Sequence, residues 1–261
     1  MHPHHLDSIA RVRDYFAVKP QTQALLLGGS IAHGYESVTS DIDIMILVAA
    51  EEHQERTKNE TLHFFSRELC SYREGYIDGK YTSMDYLEEV ARHGSEPARF
   101  AFAGSQVLIS RVQGLDGVLS RISRYPSEQK LNRIKRFLAQ FEAWAWYAGE
   151  ALRLNNRYLL GVSISKLILF GARLMLAHNE MLYPYHKWML RVLADAPNKP
   201  DDMLERIDAL NCAPATDTVK AFYDCIKNYR VWEAADTGWP NQFMLDSELN
   251  WKKDDTPVDD L

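Results

Sequence analysis

Two aspartates, Asp41 and Asp43, stand at the head of the apolar run that ends at Val48. A carboxylate at the mouth of a buried strand is costly unless something pairs with it. Strand alternation puts Asp41, Asp43, Met45 and Leu47 on one face and Ile42, Ile44, Ile46 and Val48 on the other. Two carboxylates so placed repel, and one would protonate unless a cation sits between them. Oxygen ligands projecting into a cleft are what Mg²⁺ accepts, with phosphate oxygens completing its octahedral shell. Just upstream, Gly28, Gly29 and Ser30 read as a tight turn opening a short helix. Glycine there lets backbone N–H groups approach a phosphate. One end of this segment suits a triphosphate and the other a metal, which is the equipment for metal-assisted attack at a nucleotide phosphorus.

These residues need a sheet to hold them, and the first half of the chain supplies one. A helix is expected over Leu6–Ala17, a buried strand over Ala24–Leu27, and a polar helix over Glu51–Ser71. "GKYTSMDYLEEV" reads as a strand entering a helix and "SQVLIS" as another strand, while "IDGK" reads as a turn. The crowded histidines of the opening "HPHH" are taken as disordered.

The second half changes character near "SRYPSEQK". Leu131, Ile134, Leu138, Phe141, Ala145, Ala148 and Leu152 keep helical spacing, with Ser127 as N-cap and Asn155-Asn156 as the end. A second helix is expected over Leu159–His178, with Ile164, Leu167, Ile168, Leu174 and Met175 inward. Shorter helices follow at His186–Ala194, Asp201–Leu210 and Asp217–Ala234, and the aromatics Phe243 and Trp251 are expected to dock the acidic tail. The fold class is therefore α+β, a small mixed sheet with helices over residues 1–125 followed by an all-helical bundle over residues 126–261.

Composition excludes more than it identifies. The 261 residues are 46% apolar and 25% charged, with a net charge of −6 that argues against general nucleic-acid binding. No apolar run approaches the roughly 18 residues of a membrane span, and no signal-peptide order opens the chain. A cytoplasmic location is expected. Cys70, Cys212 and Cys225 fit reduced thiols serving as small core residues.

"GGSIAHGYESVTSDIDIMI" resembles the signature of the polymerase-β-like nucleotidyltransferase superfamily: an apolar strand, Gly-Ser, a further glycine, then an apolar-flanked Asp-x-Asp. Here Gly29-Ser30 is followed by Gly34, and ten residues separate Ser30 from Asp41. The resemblance implies that Gly29, Ser30 and Ser40 bind the nucleotide, while Asp41 and Asp43 bind catalytic Mg²⁺ in a two-metal site. The third carboxylate of the family is carried to Asp85, on a face with Tyr81 and Ser83, with Asp78 the competing choice. The arrangement of a small domain and a helical one is similar to the kanamycin and lincosamide nucleotidyltransferases. That likeness implies transfer of a nucleoside monophosphate, AMP above all, from a triphosphate to a hydroxyl of a small molecule such as an antibiotic. The alternative is an antitoxin-type nucleotidyltransferase, or a nucleotide-sensing module, acting on a partner protein.

The helical half adds candidates. Glu142, Glu150 and Glu180 are possible bases for the accepting hydroxyl, and Lys187 is placed to reach the triphosphate beside Trp188. Arg121, Arg124, Lys130, Arg133, Lys135 and Arg136 form a basic run that reads chiefly as a solvated helix face. Arg173 and His178 match the Arg-x4-His spacing of HEPN ribonucleases, but lie about 140° apart on a helix, so RNase activity is not expected.

Overall fold

The structure, a computed structural model, describes residues 1–252, 256–259 and 261 and divides into two units, Met1–Gly94 with Ala98–Arg124 and Ser95–Pro97 with Tyr125–Leu261. The class is α+β, as expected.

The first unit runs α1 (Pro3–Ala17), β1 (Ala24–Leu27), α2 (Gly29–Ala32), β2 (Ile42–Leu47), α3 (Ala50–Lys58), β3 (His63–Ser66), β4 (Ile77–Thr82), α4 (Met84–His93), α5 (Glu96–Phe102), β5 (Gln106–Ser110) and α6 (Leu115–Ile122). The first two residues of α5 group with the second unit. The sheet order is β3-β4-β2-β1-β5, and only β2 and β4 pair in parallel. Because strand side chains alternate, the sheet has two apolar faces. Leu25, Leu27, Ile42, Ile44, Ile46 and Val48 pack with Val12 and Phe16 of α1. Leu26, Met45 and Leu47 pack with Leu87, Val90, Phe102, Val118 and Ile122 of the later helices. Asp41 and Asp43 belong to this second face, at the end where the apolar packing stops.

Three local expectations are corrected. "HPHH" is not disordered: Pro3 starts α1, where its missing N–H is harmless. His4 and His5 pack on Tyr72 with ring centroids 4.5 and 5.3 Å away. The helix expected through Ser71 ends at Lys58, past which Glu60 has a left-handed φ of 56°. Phe64 then packs on Phe16 at 5.2 Å as part of β3, since aromatics suit a strand that faces the core. "IDGK" is not a turn but the start of β4. Gly79 is a strand glycine, because a Cβ there would lie 2.9 Å from Ile44 Cγ1 and 3.2 Å from Phe64 Cβ.

The second unit is helical: α7 (Lys130–Arg153), α8 (Arg157–His178), α9 (Met189–Ala194), α10 (Met203–Cys212), α11 (Thr216–Lys227) and α12 (Trp239–Phe243). The inward residues expected on α8 are all buried, and Asn156 caps it by accepting the Leu159 N–H. α8 has the length and apolarity of a membrane span, which corrects the reading that no segment does, yet 67% of its most apolar window is buried inside the protein. Ser127 does not cap α7; it opens a 3-10 turn and donates to Glu180 at 2.7 Å. Leu131, expected inward, is exposed. Phe243 docks on Trp144 and Tyr147 as expected, whereas Trp251 is exposed. None of the three cysteines is fully buried.

Candidate active site

The parallel pairing of β2 with β4 sets Asp43 directly against Asp78 and Met45 against Lys80. Asp41, one step before β2, lies on the same face. Ligand oxygens of Asp41, Asp43 and Asp78 all come within 4.8 Å of one another, the only group of three or more such residues among the described residues. Each of the three is half-buried, so the carboxylates meet at a mouth open to solvent. Three hard oxygen donors this close repel one another and fit a divalent ion such as Mg²⁺ or Mn²⁺.

The glycine turn lies against this group. Gly28 donates its N–H to the Asp43 carbonyl at 2.9 Å. Gly29 has a φ of 61°, and a Cβ there would overlap the Asp43 carboxylate. Glycine is therefore required twice, by backbone conformation and by space. Ser30, buried, follows it in α2 and accepts the Tyr35 N–H at its carbonyl, 2.8 Å away. Ser40 closes the loop on the other side: its hydroxyl accepts the Ser37 N–H at 2.9 Å and its carbonyl accepts the Tyr72 hydroxyl.

Three further side chains surround the carboxylates. His63 Nε2 is 2.9 Å from Asp78 Oδ1. A hydrogen bond to Asp41, with the charges of Asp41, Asp78 and Asp43, raises the pKa of Tyr76. Lys80 follows Asp78 on the same face, 5.6 Å from the centre of the Phe102 ring. Its side chain keeps exposed surface, yet enough protein surrounds the ammonium that desolvation lowers its pKa, against the opposing pull of Asp43 and Asp78.

The carboxylate that the structure brings to Asp41 and Asp43 is that of Asp78 and not that of Asp85. Asp85 lies in the first turn of α4, behind the N-cap Ser83 whose hydroxyl accepts the Tyr86 N–H. An acidic residue there favours the helix N-terminus without reaching the cluster. The signal for Asp78 was present as alternation in "YIDGKYT", with Ile77 and Tyr81 inward, but Gly79 disguised it as a turn.

The helical-unit candidates are already engaged. Tyr223 donates to Glu142 at 2.6 Å, and Lys227 pairs with it as well. Glu150 and Glu180 are held below the usual carboxylate range, the first by Arg153 and the second by Lys130 and Ser127. Lys187 lies exposed on a 3-10 turn, 5.2 Å from the centre of the Trp188 ring. Much of the basic run is paired, Arg121 with Glu88, Lys130 with Glu180, Arg133 with Glu96 and Arg136 with Asp246. Arg173 is fully buried, 3.2 Å from Glu96 and between Phe137 and Tyr183. His178 meets Arg230 at 2.8 Å instead, so the two residues do not form a ribonuclease pair.

No protein-family profile and no curated protein matches the chain. Among solved structures it is similar to a nucleotidyltransferase-like protein from Exiguobacterium sibiricum 255-15, at 10% identity and a TM-score of 0.48 over 96% of this chain and 80% of that one. A likeness of that degree carries no functional weight beside the geometry of the site.

Proposed function

We infer that the chain is a divalent-metal-dependent nucleotidyltransferase, moving a nucleoside monophosphate from a triphosphate to an acceptor hydroxyl with release of pyrophosphate. The observation that carries this reading is the meeting of Asp41, Asp43 and Asp78 within 4.8 Å beside a glycine turn that leaves no room for a side chain at Gly29. A cluster of carboxylates alone would fit many roles; the turn beside it is what favours a phosphorylated substrate.

In the reaction, the acceptor oxygen bonds to the α-phosphorus as the bond from that phosphorus to the oxygen of the leaving pyrophosphate breaks. Asp41, Asp43 and Asp78 would hold a divalent ion, which would neutralise charge at the phosphoryl oxygens and acidify the attacking hydroxyl, whose proton would pass to solvent. The chain's own residues do the rest. Gly29 and Ser30 offer backbone N–H groups to the phosphates, and the Ser40 loop, tied by Tyr72, fixes the position of Asp41. His63 and Tyr76 orient Asp78 and Asp41, as partners behind metal ligands commonly do. ATP is the expected donor, and a small hydroxyl-bearing molecule, an antibiotic among the candidates, the expected acceptor.

The test is transfer of label from α-³²P ATP, GTP, CTP and UTP to a panel of hydroxylated small molecules. Metal-dependent transfer that Asp43→Asn abolishes is the expected result. Transfer that survives EDTA or that substitution would contradict the reading.

A further inference from the structure

Phe65 is a large aromatic residue left 51% exposed on an edge strand of the sheet. Alternation along β3 turns Phe64 to the core and Phe65 to the site face. Antiparallel register sets Phe65 directly opposite Asp78 on β4, one strand spacing of about 4.8 Å away. The Tyr76 ring lies 5.4 Å from it, tilted by 31°, and the His63 ring 6.3 Å. Tyr76 in turn hydrogen-bonds to Asp41. One exposed phenylalanine on a strand is ordinary, since aromatics favour strands. Here the ring joins two others into an open surface that borders the carboxylates, on an edge where charge or proline is usual.

The order of the strands decides what passes over this surface. Across the sheet come the glycine turn after β1, then Asp41 and Asp43 with β2, Asp78 on β4 and Phe65 on β3. With the outer phosphates at the glycine turn and the α-phosphorus at the carboxylates, pyrophosphate departs toward β1. In-line displacement brings the acceptor oxygen from the opposite side, which is over β4 and β3. We propose that Phe65, with Tyr76 beside it, is the acceptor platform, and that the acceptor is a hydroxyl compound carrying an aromatic ring that stacks on Phe65. This rests on the nucleotidyltransferase reading and narrows its acceptor. A ring face attracts a flat, weakly hydrated partner and gives a bare sugar or polyol little to replace its water. Stacking also fixes the plane of the acceptor, which holds its hydroxyl near Asp78.

The experiment measures binding of phenyl β-glucoside and methyl β-glucoside, which share the sugar hydroxyls and differ in the aglycone, to the full chain carrying ¹³C-labelled phenylalanine rings. The Phe65 signal is assigned by its loss in Phe65→Thr, which keeps strand propensity, and circular dichroism checks the fold. Phenyl glucoside is expected to bind wild type about tenfold or more tightly than methyl glucoside and to shift the Phe65 signal. It should bind Phe65→Thr about fivefold or more weakly than wild type, and Phe65→Trp as wild type does. No preference for the phenyl compound in wild type, or equal binding by Phe65→Thr, would overturn the proposal and leave the nucleotidyltransferase reading standing. Mg²⁺-ATP binding weakened by Phe65→Thr would assign the ring to the donor's base and overturn it likewise. Phe65-dependent binding of phenyl glucoside by a protein that takes no triphosphate with Mg²⁺ would instead overturn the nucleotidyltransferase reading, and the acceptor role with it.

Discussion

Asp43 and Asp78 occupy directly paired positions on the parallel strands β2 and β4. Neither can leave the other's side without breaking the ladder that holds the sheet together, so the spacing of the carboxylates is a property of strand register. Asp85 has no such link, since it sits in the first turn of α4. Asp78→Asn is therefore expected to reduce Mg²⁺-dependent nucleotide binding at least tenfold by calorimetry, at unchanged fold. Asp85→Asn is expected to bind as wild type and to lose about 0.3–1 kcal/mol of stability through the helix N-terminus. The reverse ranking would restore Asp85 as the third carboxylate.

Gly29 tests the turn. Alanine must adopt a φ of 61° and displace the Asp43 carboxylate. Gly29→Ala should lower stability to urea by about 1–3 kcal/mol and weaken nucleotide binding beyond what that loss explains. Gly34→Ala is the control: it shares a positive φ, 70°, but has open space around its Cβ. Equal binding by both variants would mean that contact with Asp43 is unimportant.

Acid should loosen the N-terminal helix. His5 has no accessible surface, and neither ring nitrogen has a partner among the described residues. Burial first, then the charges of His4 and His2, lowers its pKa from 6.5, while Glu36 opposes. On acidification the unfolded chain takes the proton before the folded one, so this contribution is present above about pH 6.5 and is lost as pH falls through the lowered folded value. The urea midpoint should drop between pH 7 and pH 5, and more gently in His5→Phe. Identical slopes would remove His5 as the cause.

In the second unit, Glu96 gathers Arg133, Arg173 and the Tyr183 N–H, all buried. Glu96→Gln leaves two guanidinium groups facing a neutral amide, and about 3–5 kcal/mol of stability should be lost. A midpoint unchanged in chemical denaturation would contradict the account of this cluster. Purified protein should also leave single-stranded RNA intact, because Arg173 is inaccessible.

The sequence was most informative where a single physical rule governs. Period two placed Asp41 and Asp43 on one strand face because β2 is long enough to show it, and three-four spacing outlined α7 and α8. It misled where one residue serves two purposes. Gly79 is a turn former by habit, yet here it makes room for Ile44 and Phe64 inside β4, and Asp78 was passed over with it. Serine before aspartate at 83–85 looked like a continuing strand because a helix cap and a strand end share extended backbone. Lys80, His63 and Tyr76 left no local motif at all, since cross-strand register brings them to the carboxylates.

The central claim is that Asp41, Asp43, Asp78 and the Gly29 turn form one metal-nucleotide site. It is tested most directly by the thermal stability of the protein with ATP, GTP, CTP and UTP, with and without Mg²⁺, beside Asp43→Asn. A ligand that binds only the folded state raises its stability by mass action, by about 2.7 kcal/mol at a hundredfold excess over Kd, and no acceptor is needed. The account predicts a Mg²⁺-dependent rise with at least one triphosphate that disappears in Asp43→Asn. No rise with any triphosphate, or the same rise in the variant, would contradict it.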